Sequence, residues 1–137
     1  MCNLTHYVEG KVKGYKVVAK KLRGKRYYSI SMGFKYSLDG HVPVVRRQHR
    51  ICSDFMGDII LKDSGPYREA MIGRTAIFLN HENASQVAQR RDVKSGYKLV
   101  VVQSEVSEDV MKGIYQSHIS NCEVAAGRRI RFIKEVN

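Results

Sequence analysis

Tryptophan, proline and long apolar runs are all scarce in this chain of 137 residues, which has no Trp and only two Pro. No stretch approaches the roughly 20 consecutive apolar residues that a membrane-spanning helix needs. The first residues, MCNLTHYVEG, lack the apolar segment of a secretory signal. We therefore expect a cytoplasmic protein without a membrane partner. With no repeat, low-complexity run or linker either, residues 1–137 are expected to form one domain.

Cysteine is also sparse, and its three occurrences are widely spaced without a C-x-x-C motif. An odd number of scattered cysteines favours free thiols over a disulfide framework. Each cysteine has a histidine nearby, in the pairs Cys2–His6, His49–Cys52 and His118–Cys122. Structural zinc needs four ligands in tetrahedral geometry, and none of these pairs matches a standard zinc knuckle. We therefore expect no metal and no other cofactor.

Catalytic motifs are missing as well. The chain has no Walker A loop, no G-x-G-x-x-G, no G-x-S-x-G, and only one H-x-S triplet, at His118. Asp54 and Asp58, four apart, are more typical of a solvated face than of a nuclease site. Cys52 near His49 is the one conceivable nucleophile, with arginines nearby that would lower its pKa. A non-catalytic protein is therefore the expectation.

Positive charge is what the sequence has in excess, and it is unevenly distributed. The formal net charge is +11, of which residues 1–50 contribute +10 from 12 Lys and Arg against two acids. A one-sided excess indicates a face that binds an anionic partner. The alternative is a solvated basic surface that only keeps the protein monomeric.

Within this basic half, cations alternate with the aromatics Tyr15, Tyr27, Tyr28, Phe34 and Tyr36. Cations neutralise phosphates, and aromatic faces on a sheet can stack bases, although many such aromatics belong to cores. No RNP1, KH or helix-turn-helix pattern is present. The candidate anion, nucleic-acid or partner-binding residues are Lys11, Lys13, Lys16, Lys20, Lys21, Arg23, Lys25, Arg26, Tyr27, Lys35, Arg46, Arg47, Arg50, Arg129 and Arg131.

Arginine clusters within this set suit bidentate recognition of phosphate or carboxylate. The segment GHVPVVRRQHRIC holds Arg46, Arg47 and Arg50, which we take as the main recognition group. Arg129 and Arg131 would point the same way from a strand. The pair at residues 90–91 is expected to end a helix and complement its dipole.

Hydrophobic patterning predicts an α+β domain with a largely antiparallel sheet. Residues 14–21 (GYKVVAKK) and 25–31 (KRYYSIS) predict a hairpin, and Asp39-Gly40 predicts a turn. VPVVRR, with Pro43, suits an edge strand. Residues 58–61 and 75–80 predict short strands, with a helical turn before Gly73.

The second half predicts the one main helix, over about residues 81–91, with Asn80 as its cap. Residues 96–106 (GYKLVVVQSEV) predict a central strand, and GRRIRFIKEV a final one. Between these two strands, Ser107 is expected to cap a short helix, and Glu108 and Asp109 would interact favourably with the positive end of its dipole.

Four segments, KGYKVVAK, YYSISMGFKYSLDG, GRTAIFLNHENASQVAQ and GYKLVVVQSEV, occur in an order that resembles small accessory proteins of bacteriophages and prophages. The resemblance covers most of the chain and rests on fold motifs, so no functional residue is carried over from it. It implies a small, basic, cytosolic protein that binds and blocks a host component, as anti-CRISPR and other anti-defence inhibitors do.

Three functions follow as hypotheses. The first is a phage-type inhibitor whose basic N-terminal face binds a bacterial host defence protein or ribonucleoprotein, with RNA or DNA as possible partners. The second is a sponge that binds an anionic nucleotide immune signal in an arginine-lined pocket. The third is an enzyme acting on nucleotides or nucleic acid.

Overall fold

The structure, a computed structural model, describes residues 2–30, 33–44, 47–49, 51, 58–60, 70–89, 93–116 and 121–136. In chain order its strands and helix are β1 (Cys2–Tyr7), β2 (Val12–Lys21), β3 (Tyr27–Ser29), β4 (Arg47–His49), β5 (Asp58–Ile60), β6 (Thr75–Phe78), α1 (His81–Ala88), β7 (Tyr97–Ser107), β8 (Met111–Gln116), β9 (Asn121–Gly127) and β10 (Arg129–Val136). Within this described part, no helix is both long and apolar enough to cross a membrane.

One large antiparallel sheet dominates the domain. Its strands lie in the order β1-β8-β9-β6-β2-β7-β10, with β3 also paired to β2, while β4 and β5 form a separate two-stranded ladder. Every ladder between the described strands is antiparallel. The expected α+β class with a largely antiparallel sheet is therefore confirmed.

The two faces of the sheet bury different side chains. Consecutive residues of a strand point to opposite faces, so Val17 and Val18 on β2 enter separate clusters. On one face, Val17 and Val101 pack against Ala84 of α1. The opposite face carries the larger cluster, whose buried members are Val18, Tyr36, Ile77, Val102, Val106, Val110, Ala125 and Ile130.

The predicted hairpin and helix cap are both present. β2 and β3 pair antiparallel, with Val18 opposite Ser29 and Lys20 opposite Tyr27. Asn80 caps α1, since its side-chain oxygen accepts from the backbone N–H of Glu82 at 2.8 Å. The helix ends at Ala88, earlier than expected, and residues 90–92 lie outside the described part of the chain.

The predicted short helix after Ser107 is wrong. Ser107 ends β7, and Glu108 and Asp109 adopt left-handed conformations with φ of 65° and 51°. A right-handed helix cannot pass through such residues, and the chain instead turns directly into β8. The acidic pair that suggested a helix N-terminus is held in this turn by cations from elsewhere in the chain.

The VPVVRR segment also differs from its prediction. Val42, Pro43 and Val44 have no regular secondary structure, and Val42 donates its N–H to the carbonyl of Arg128 at 2.9 Å. β4 spans Arg47–His49, and residues 45 and 46 lie outside the described part of the chain. Proline lacks the N–H that ladder pairing uses, which suits this irregular segment.

Three strands carry no clear sequence signal, namely β1, β8 and β9. Gly113 of β8 shows how tightly β1 packs there, because a Cβ on Gly113 would lie 1.9 Å from the carbonyl oxygen of Asn3. Polar residues occur throughout β1, which forms one edge of the sheet. Of the residues around its centre, Leu4 is buried whereas Thr5, His6 and Tyr7 are exposed, so β1 lacks the hydrophobic alternation that marks a strand with one packed face.

Candidate nucleic-acid interface

Two turns meet at one end of the sheet and bring basic residues together. The turn that joins β2 to β3 is closed by a hydrogen bond from the N–H of Gly24 to the carbonyl of Lys21 at 3.0 Å. The N–H of Leu22 donates to the carbonyl of Gly96, at 3.1 Å, in the turn that precedes β7. The two turns are therefore fixed against each other. We call residues 20–26 and 94–98 together the basic hairpin end.

The charge of the basic hairpin end has one sign. Its seven cations are Lys20, Lys21, Arg23, Lys25, Arg26, Lys94 and Lys98, and neither range contains Asp or Glu. Register explains how distant residues join this set, because Lys20 lies opposite Lys98 and Lys21 opposite Tyr97. Like charges on facing strands repel each other. Seven cations in two short ranges that contain no acid favour the binding of an anion.

One carboxylate reaches this surface from the described part of the chain. Glu135 of β10 ion-pairs with Lys20, with Oε2 and Nζ 2.9 Å apart, and accepts a hydrogen bond from the hydroxyl of Tyr27 at 3.1 Å. The hydrogen bond from Lys20 lowers the pKa of Glu135 below its usual value. Burial, followed by the bond to Glu135, raises the pKa of Tyr27 to about 12. The carboxylate of Glu135 therefore balances the positive charge of Lys20.

The other cations of this end divide into one structural residue and five exposed ones. Arg26 donates to the backbone carbonyl of Tyr36 at 2.7 Å, so it anchors the hairpin. Lys21 lies 5.4 Å from the centre of the Tyr28 ring. Among the described residues, no carboxylate lies within ion-pair distance of the five exposed cations, although the charge of Lys98 helps to lower the pKa of Glu135; these cations are Lys21, Arg23, Lys25, Lys94 and Lys98.

Elsewhere on the sheet, several predicted binding residues are already paired. Glu105, only 8% exposed, lies 3.5 Å from Arg131 and 3.9 Å from Lys11. Lys13 is exposed and faces Glu105 in register on β2. Lys16 donates to the carbonyl of Ala76 at 2.6 Å in a partly buried position. These contacts are made within the protein, so the residues involved are less available to a ligand.

Arg129 stabilises the left-handed turn at residues 108–109. Its Nε lies 2.9 Å from Oε2 of Glu108, an ionic contact without hydrogen-bond geometry, and its terminal nitrogen lies 2.5 Å from His41. The neighbouring Arg128 pairs with Asp109 at 2.9 Å. An open groove of about 490 Å³ lies here, lined by His41, Val42, Val44, Gly73, Glu108, Asp109 and Arg128.

Most aromatic rings of the basic half pack against one another. Tyr27 meets Phe132 edge-on, with ring centres 4.8 Å apart, and Phe132 meets Tyr36 in the same way at 5.2 Å. Phe34 continues the row at 4.8 Å from Tyr36, which is only 3% exposed. Tyr28 packs edge-on against Tyr97 at 5.5 Å. Tyr27 therefore lies in a packed row instead of presenting an open stacking face.

The remaining predicted residues lie apart from this end or beyond the described chain. Lys35 is exposed and forms an isolated bridge with Tyr28. Arg46 and Arg50 lie outside the described residues, and Arg47 is described only as the first residue of β4. Cys52 and His118 are likewise outside. Within the described ranges, the structure contains no cluster of three or more His, Cys, Asp or Glu side chains that could hold a metal ion.

Lys94 and Lys98 were not among the predicted site residues, yet they belong to the basic hairpin end. They lie in the half of the chain whose net charge is close to neutral. The pairing of β2 with β7 places Lys98 opposite Lys20, and Lys94 belongs to the turn that precedes β7. The signal that could have found them is the strength of the β7 sequence pattern combined with its position next to β2.

Comparison with protein-family models, curated proteins and solved structures finds no match to this chain.

Proposed function

We propose that this protein is a non-catalytic binding protein whose basic hairpin end contacts the phosphate backbone of nucleic acid. The observation that carries the proposal is the charge of that end, where seven cations occur without an acid in either range. Five of them have no carboxylate partner among the described residues. A fixed array of cations releases counterions when it meets phosphates, which is the main source of sequence-independent affinity for nucleic acid.

The basic hairpin end is formed by two turns that are hydrogen-bonded to each other. We propose that it acts in the cytoplasm of a bacterial host, as a phage-type inhibitor of a defence nucleoprotein. There it would bind the guide RNA of the effector, or it would occupy the channel in which the effector holds a nucleic-acid strand. The excess charge of the protein would speed encounter with such a target by electrostatic steering.

The alternative of an anionic nucleotide sponge finds less support. Its pocket would be the groove beside Arg128, but Glu108 and Asp109 also line that groove. Both arginines near the groove are already paired, Arg128 with Asp109 and Arg129 with Glu108. An added phosphate would meet carboxylates there and would have to displace existing ion pairs. At the basic hairpin end, Glu135 is the one carboxylate that reaches the surface from the described chain, and it engages Lys20, whereas the five exposed cations form no ion pair with a described carboxylate.

Direct binding tests the proposal. Fluorescence anisotropy with labelled RNA and DNA, at about 50 mM salt where counterion release is strongest, should show binding that weakens steeply toward about 200 mM. The absence of binding to every nucleic acid at the lower salt concentration would refute it. A pull-down from bacterial lysate, with and without nuclease, then tests the inhibitor role. Retention of the same ribonucleoprotein only in the untreated sample supports contact through nucleic acid.

A further inference from the structure

Leu22 is an exposed apolar residue in the middle of the basic hairpin end. The residue is 63% exposed, and its sequence neighbours are Lys21 and Arg23. The other large apolar residues exposed in the described chain, Tyr7, Leu38, Val44 and Ile133, lie outside this end. Leaving a leucine in water among charges costs free energy that burial against a partner would recover.

The backbone at Leu22 is fixed before any partner arrives. Its own N–H donates to Gly96, and the turn is closed by the bond from Gly24 to Lys21. An apolar group on such a pre-organised tip loses little conformational freedom when it binds. Leu22 is therefore better placed for contact than a leucine on an unconstrained loop.

The aromatic rings at this end are already engaged. Tyr28 is packed edge-on against Tyr97, with Lys21 near its face, and Tyr27 is packed on Phe132. These rings are half-buried. Among the described residues of this end, Leu22 is the apolar side chain most open to a ligand.

A matching partner must offer an apolar surface within reach of closely spaced negative charges. A single-stranded nucleic acid does so, because its phosphates alternate with bases whose faces are uncovered. A duplex presents the same charges but hides its base faces in the stack, unless a wedge opens it. An anionic membrane also combines the two properties, but stable anchoring needs more apolar contact than one leucine provides.

We infer that Leu22 contacts an unpaired base, and that the basic hairpin end is therefore a site for single-stranded nucleic acid. This inference rests on the proposed function and narrows it to one class of ligand. The cations hold the phosphates, and Leu22 packs against the base between them. Wedge-like use of leucine against bases has the same physical basis in proteins that kink DNA.

The test uses the full chain, its Leu22→Ser variant, and Leu38→Ser as the matched control. Leu38 is 90% exposed in the turn at residues 37–40, outside the basic hairpin end. The probes are a single strand of about 16 nucleotides, a duplex of equal length, an abasic strand of equal length, and phosphatidylserine-containing vesicles. The abasic strand keeps the phosphates and lacks the bases, so it separates the two contacts. Thermal melting confirms that both variants fold.

We expect the wild-type protein to bind the single strand about fivefold more tightly than the abasic strand. Leu22→Ser should remove most of that difference and leave both the affinity for the abasic strand and the salt slope unchanged. Leu38→Ser should behave as the wild-type protein does. Equal binding of all nucleic-acid probes, unchanged by Leu22→Ser, overturns the inference and leaves the proposed function standing. An effect of Leu22→Ser on vesicles alone also overturns it. No salt-dependent binding to any nucleic acid would instead defeat the proposed function itself.

Discussion

Lys20 on β2 and Glu135 on β10 form an ion pair of 2.9 Å that spans the intervening strand β7. Glu135 reaches this position after a register shift between Phe132 and Lys134, which marks a bulge in β10. Without the extra residue, Glu135 would point to the opposite face of the sheet. The bulge therefore sets the charge of the basic hairpin end by delivering a single carboxylate to it.

Replacing that carboxylate should strengthen anion binding. Glu135→Gln leaves Lys20 unneutralised, and we expect an increase of about threefold in affinity for nucleic acid at low salt. The cost in the free energy of unfolding should stay below about 1 kcal/mol, because this ion pair is partly exposed and solvent screens it. Anisotropy titrations and urea denaturation measure the two effects. The control Glu123→Gln makes the same charge change at an exposed position of β9 and should leave the affinity for nucleic acid nearly unchanged. An equal gain in affinity in this control would contradict a specific role of Glu135 at the basic hairpin end.

The raised pKa of Tyr27 predicts a loss of stability at alkaline pH. Its folded pKa of about 12 lies above the ordinary tyrosine value of about 10, so folding favours the protonated phenol. The stabilising contribution is complete below pH 10 and is lost as pH rises through about 12. Tyr27→Phe should therefore flatten the dependence of the unfolding free energy on pH in this window.

The control for Tyr27→Phe is Tyr7→Phe, which removes a hydroxyl from a ring that is 69% exposed. Lysines also lose protons at these pH values, so only the difference between the two variants is informative. An unchanged pH profile in Tyr27→Phe would show that the raised pKa of Tyr27 does not contribute to stability in this pH window.

The close packing of β1 on β8 predicts a sharp contrast between two glycines. Gly113→Ala would place a Cβ 1.9 Å from the carbonyl oxygen of Asn3, with the backbone unable to yield cheaply. We expect a loss of about 3 kcal/mol in the free energy of unfolding. Gly10→Ala, at a φ of 83° but with no atom near its Cβ, should cost only about 1 kcal/mol. Urea denaturation of both variants compares them, and equal losses would argue against the described packing.

The elements that were predictable from sequence are those whose local chemistry agrees with the fold. The β2–β3 hairpin, the Asn80 cap and the β7 strand each follow from patterns within a few residues. The turn at Glu108 and Asp109 was not predictable, because acids before a strand resemble acids at a helix start. Its left-handed conformation is held by Arg128 and Arg129, nearly 20 residues away in sequence, so no local pattern reports it.

The candidate site divides in the same way. The excess of cations in residues 1–50 was visible in the sequence, and it supplied Lys21, Arg23 and Lys25. Sequence could not separate these from Lys11 and Arg131, which Glu105 engages across neighbouring strands. It also missed Lys94 and Lys98, which strand pairing brings to the same end. Which cations are available for a ligand depends on long-range contacts, and composition alone does not contain them.

The salt dependence of single-strand binding tests the central claim most directly. The variant Lys21→Gln, Arg23→Gln, Lys25→Gln removes three exposed cations from the basic hairpin end, and Lys13→Gln, Lys112→Gln, Lys134→Gln removes three lysines from elsewhere on the sheet. If the hairpin end holds phosphates, the first variant should lower the slope of log affinity against log salt by about 2, whereas the second should keep nearly the wild-type slope. Equal reductions in the two variants, or none in the first, would contradict the account.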